Sequence, residues 1–138
     1  MGMVLGIVPF IVFRINGLEN TSCKLILPMV NLAYTHIPER VRHYAPLVGV
    51  SFGRITIRNQ RSLWGSCSAK GNLNFNCLLM LTPPEVIDSV IVHELCHRKE
   101  MNHSKAFYAE VLRVFPDYWK WDKWLKENGP QLMRRMMK

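Results

Sequence analysis

A helix start followed by an unbroken apolar stripe limits the fold of this chain more than any other feature. Thr82-Pro83-Pro84-Glu85 reads as a capping box: Thr82 can N-cap, Pro84 suits the first turn, and Glu85 answers three residues on. Val86, Ile87, Val90, Ile91 and Leu95 then recur at helical spacing, so one face must be buried. The pattern predicts a helix from Pro83 to about Met101, where Asn102 can adopt the left-handed conformation that ends one.

That helix carries the chemistry. Residues 93–97 read His-Glu-Leu-Cys-His. Side chains four apart leave the same helical face, so His93 and His97 can grip one metal ion, and Glu94 can reach a water held by it. This is the arrangement of zinc-dependent hydrolases. Two surface histidines on an amphipathic helix would also fit the pair alone, but not its company of capped helix and downstream histidine. A catalytic zinc needs a third protein ligand and one open position. Glu100, seven residues after His93, lies nearly on the same face. His103 would point about 240° away from His97 on a continuous helix, at roughly 100° per residue. It can ligate only if the helix stops near Asn102 and the chain turns back, and Ser104 as the next N-cap supplies that turn. His103 is the preferred third ligand, and Glu100 the alternative.

Around this helix the sequence reads as strands first and helices after. Met3–Phe13 is apolar but interrupted by Pro9 and too short to span a bilayer, which suggests a buried strand. A second strand is expected at Lys24–Val30 after an Asn16-Gly17 turn, and a short helix opening at Pro38. Arg54–Arg58 alternates as a half-exposed strand. A hairpin follows: Leu63–Cys67, a turn at Ala69-Lys70-Gly71, then Asn72–Met80 with Leu73 and Phe75 on one face and the asparagines on the other. Beyond the histidines a helix is expected from Ser104 to Phe115. Another should run from about Asp117 to Asn128-Gly129, with Trp121 and Trp124 packing on one side.

The 138 residues are 49% hydrophobic, enough for one domain with a true core. The formal net charge of +8 favours anionic partners such as nucleic acid or nucleotides, although solvated helix faces give the same count. The four cysteines (Cys23, Cys67, Cys77, Cys96) show no metal or disulfide spacing, and Cys96 reads as a small buried thiol. A reducing cytoplasm and no membrane attachment are the economical expectation.

The run from His93 to His97 through Asn102-His103-Ser104 and Phe107 resembles the YgjP-like metallopeptidase domain family, relatives of the SprT-like and WLM zinc metalloproteases. Ser62-Leu63-Trp64-Gly65-Ser66-Cys67-Ser68, with Gly71 to Asn76, is similar to a second signature of that family. Pro116-Asp117-Tyr118 and Trp124 to Gly129 resemble its closing segment. The resemblance covers about residues 34–129, and residues 1–33 read as a poorly matched, strand-rich N-terminal part. It implies Zn2+ on His93, His97 and His103, with Glu94 as general base. Leu63 departs from the pattern, since the family usually carries arginine there.

The expected architecture is α+β and zincin-like: a small antiparallel sheet packed on the zinc helix, with further C-terminal helices. The expected activity is peptide hydrolysis, with Asn72–Asn76 as the strand that faces an extended peptide or protein substrate. Two alternatives use the same residues. One is zinc-dependent hydrolysis of a nucleotide phosphoanhydride, and the other is a non-enzymatic zinc module whose basic surface binds nucleic acid. A purely structural zinc needs no base, so Glu94 argues against the second.

Overall fold

The computed structural model describes residues 11–14, 23–60 and 62–136. The expected strand before Ile11, the Asn16-Gly17 turn and Arg61 lie outside them. Among the described residues the fold is α+β: a four-stranded sheet and four α-helices, none of them long and apolar enough to cross a membrane.

Strand β1 (Ile11–Arg14) leads into α1 (Cys23–Val48), a 26-residue helix. Here the structure departs from the expected strand at Lys24–Val30 and the helix start at Pro38. Pro28, Pro38 and Pro46 all lie inside one helix. Each removes a helical hydrogen bond at substantial cost. The stripe Val30, Ala33, Ile37, Val41, Tyr44, Ala45 and Val48, all buried, keeps one face on the core throughout. Gly49 ends the helix at φ 87, its N–H bonded to Ala45 O, a conformation open to glycine.

The long α1 decides the topology. β1 pairs in parallel with β2 (Ile55–Arg58), and a parallel return requires a crossover of this kind. β4 (Leu73–Asn76) also runs parallel to β2, while β3 (Gly65–Cys67) is antiparallel to β4. The order is β1-β2-β4-β3. The sheet is therefore mixed rather than antiparallel as expected, because reading part of α1 as a strand hid the crossover. Leu73 and Phe75 point into the core as the alternation predicts. Asn76 is buried as well: its Nδ2 donates to Gln60 O and Leu63 O, and its Oδ1 accepts from Leu78 N–H. It thereby opens a 3-10 turn over Cys77–Leu81.

Helix α2 (Pro84–Cys96) has Pro83 at its N-cap, without a side-chain cap. The capping box does not form, since the Thr82 hydroxyl donates back to Leu79 O and closes the preceding turn. α2 lies against α1, clamped by Arg40, whose Nε and Nη2 donate to Asp88 Oδ1 and Oδ2 at 3.0 and 2.9 Å. Tyr44 adds a third bond to Asp88 at 3.0 Å. The two last helices, α3 (Lys105–Val114) and α4 (Tyr118–Met136), also pack on α2. Ser104 caps α3 as expected, accepting from Phe107 N–H. α4 runs past its expected stop at Gly129 and through Pro130. Gly129 serves close packing there: a Cβ would stand 2.9 Å from Trp64 Cζ2. Met133 then carries the buried face one turn further.

Candidate metal centre

α2 is shorter than the apolar stripe and Asn102 suggest. It ends at Cys96, with His97 as C-cap in helical backbone. Arg98 and Lys99 N–H groups then bond three residues back, to Leu95 O and Cys96 O, which tightens the exit. Two side chains hold this turn. Arg98 donates from Nε to Ser51 O and from Nη1 to Ala69 O, tying the end of α2 to the β3–β4 turn, and Lys99 pairs with Glu110 of α3. Arg98 also covers Gly71, where a Cβ would lie 2.7 Å from the guanidinium.

The early stop brings His103 back over α2. His93 Nε2 and His103 Nε2 are 3.1 Å apart, and the ligand atoms of His93, His97 and His103 all lie within 4.8 Å of one another. Two nitrogens on a tetrahedral ion at about 2.0–2.1 Å would be separated by roughly 3.3–3.4 Å, close to the His93–His103 spacing, so the three residues could hold a metal ion. Glu100 does not join the group through its carboxylate. Its backbone carbonyl instead accepts from His97 Nδ1 at 3.0 Å. A carbonyl can only accept, so Nδ1 carries the proton and Nε2 is left with its lone pair. His93 Nδ1 is likewise held, 2.8 Å from the Tyr118 hydroxyl.

Beneath the three imidazoles lies the fully buried ring of Phe107, stacked on His97 at 4.5 Å and edge-on to His93 and His103 at 4.9 and 5.2 Å. This apolar floor sets the electrostatics. Burial, with the neighbouring His97 and His103 adding to it, pushes His93 down to about 3. Burial also lowers His97. Both are neutral near pH 7, the form that binds metal.

Glu94 faces the other way, toward β3. It is 7% exposed, and burial pushes its carboxyl up to about 8. A Cβ on Gly65 would meet Glu94 Cγ and Val90 Cγ1 at 3.1 Å and Asn74 O at 3.2 Å, so only glycine lets β3 sit this close to α2. A cleft of about 210 Å3 opens here, with His93, Glu94 and Tyr118 in its wall and Leu63 at its mouth.

The strand assigned to substrate changes. Asn72–Asn76 cannot pair with a peptide, because β4 is bonded to β2 on one side and β3 on the other. β3 ends the sheet beside Glu94. Tyr118, Phe107 and Gly65 were not singled out from their chemistry, although all three fall within the stretches that carry the family resemblance.

The sequence pattern described as YgjP-like, metallopeptidase domain, matches residues 19–128. The chain belongs to this family. The match begins before the expected residue 34 and takes in all of α1, so the helix is part of the family's domain rather than a divergent strand-rich extension. A search of curated proteins found no match, and a search of solved structures found none either. Membership in a metallopeptidase family implies a metal ion, and the three histidines could hold one.

Proposed function

We propose that this YgjP-like protein is a zinc-dependent peptidase of zincin-like architecture, with His93, His97 and His103 as metal ligands and Glu94 as general base. One observation carries the reading: three imidazoles converge within 4.8 Å of one another, and the buried Glu94 lines the same cleft as His93. Three protein donors is the number used in catalytic zinc sites, where a fourth position stays open. Zinc bound there would polarise a scissile carbonyl and bring the pKa of water toward roughly 7. Glu94 takes the proton of the attacking water and passes it to the leaving amine. Its raised pKa suits both steps, since a base poised near the working pH also makes a competent acid. Glu100 O holds His97 in the tautomer that presents Nε2, and the Tyr118 hydroxyl holds the His93 ring in place. The outer edge of β3 offers backbone groups to an extended peptide, and Gly65 keeps that edge close to Glu94.

The test combines metal analysis with an activity screen over unfolded protein, peptides and nucleoside triphosphates. The purified protein should hold about one zinc per chain. Glu94→Gln should retain the metal and lose peptide hydrolysis. Equal turnover by wild type and Glu94→Gln would exclude the mechanism, and Glu94-dependent cleavage of triphosphates alone would exclude the bond class.

A further inference from the structure

The cleft between β3, α2 and α4 is small, and several of its polar groups are already engaged. Ser89 Oγ donates to Val86 O at 2.7 Å, Asp122 pairs with Lys126 at 2.9 Å, and the Tyr118 hydroxyl sits on His93 Nδ1. With Glu94 reserved for the reaction, the surface left for a ligand is mainly that of Leu63, Trp64, Val90 and Leu125, with Ser62 beside them. Leu63 stands at the mouth with 49% of its surface exposed. At about 210 Å3 the cleft falls below the roughly 300 Å3 at which whole small-molecule sites begin, and suits one side chain. Its position defines whose side chain that is. It opens beside His93 and Glu94 and against β3, so a peptide extended along that edge turns alternate side chains toward it.

We infer that this cleft is a specificity pocket that receives a large apolar side chain, aliphatic or aromatic, from the residue flanking the scissile bond. The inference rests on the peptidase reading and adds the substrate class to it. An acidic side chain would lose its hydration and meet the carboxyl groups of Asp122 and Glu94 in the lining. Leu63 is the determinant most open to test, since it touches the pocket while half its surface is in water.

Zinc-loaded protein would be given a mixed peptide library, and the residues beside each cleaved bond counted by mass spectrometry. Leucine, isoleucine, methionine or phenylalanine should be enriched at one flanking position by roughly 10-fold or more over aspartate and glutamate, the factor that burying one such side chain supplies. Leu63→Asp should abolish the enrichment, and Leu63→Met should keep it. Cleavage that depends on Glu94 but shows no apolar preference would overturn the pocket and leave the peptidase reading standing. Should no peptide be cleaved in a Glu94-dependent way, the peptidase reading fails. Calorimetry on zinc-loaded Glu94→Gln then decides the pocket by itself, using two alanine pentapeptides with a central leucine or a central aspartate. Tighter binding of the leucine peptide, lost in the Leu63→Asp background, upholds it, and equal or undetectable binding of both overturns it.

Discussion

His93 and Tyr118 are 25 residues apart in sequence, yet their Nδ1 and hydroxyl oxygen lie 2.8 Å from each other. The first imidazole of the triad is thus steadied by a helix that enters the fold last. Tyr118 is buried, so its hydroxyl has little water to fall back on.

Tyr118→Phe should therefore weaken metal binding while keeping the ring that packs against the imidazole. Loss of such a supporting partner costs about 10- to 100-fold in metal affinity. Competition with a chromogenic zinc chelator measures this directly. Wild-type affinity in the variant would show that Tyr118 does not orient His93.

The metal-free protein should have a stability maximum between two opposing titrations. The carboxyl of Glu94 is raised from its ordinary 4.5 to about 8, so its contribution is complete below about 4.5 and is lost as pH rises through 8. His93 and His97 are depressed, His93 to about 3, so their contribution is present above about 6.5 and is lost as pH falls toward 3. Glu94→Gln removes only the alkaline loss. Without metal it should melt above wild type at pH 9 and close to it at pH 5, by thermal unfolding across that range. The same melting curves for both proteins at pH 9 would show that Glu94 ionises freely in the fold.

Gly65→Ala should destabilise the protein by roughly 1–3 kcal/mol, the usual cost of forcing extra volume into a packed contact. The added methyl meets Glu94, Val90 and the backbone of Asn74 at once, so β3 has to move away from α2. Urea unfolding gives the size of the effect, and peptide turnover should fall further than the lost stability explains. A neutral substitution would mean that the edge of β3 does not need its closeness to Glu94.

The excess positive charge predicts salt-sensitive attachment to polyanions. Lys120, Lys123 and Arg134 are exposed along α4. Their joint replacement by alanine should weaken binding of single-stranded DNA at low salt for all sequences alike, and should flatten its dependence on salt. Fluorescence anisotropy at two salt concentrations is sufficient. No binding by wild type at low salt would leave the charge to solubility.

The convergence of His93, His97 and His103 was legible in the sequence because it depends on local rules. Four-residue spacing puts His93 and His97 on one face, and Ser104 as a cap announces the turn that returns His103. The sheet was less legible. Its parallel pairing depends on α1, which reads locally as a strand at Lys24–Val30 and a helix opening at Pro38, while the buried stripe from Val30 to Val48 makes it one helix. The exit of α2 was read too long for a related reason: Arg98 and Lys99 look like ordinary helical residues, and their partners Ser51, Ala69 and Glu110 are far away in the chain. Gly129 shows the converse error. A glycine that normally ends a helix is there to admit the indole of Trp64.

The triad is also a short loop. Ten positions separate His93 from His103, and His97 lies between them. Joining the ends of so brief a segment costs little chain entropy, whereas the cleft needs Leu63 and Leu125 brought together from distant parts of the chain. Metal capture can therefore precede completion of the fold. A partly folded chain holding an ion there would be drawn toward the native state by mass action before the cleft is complete.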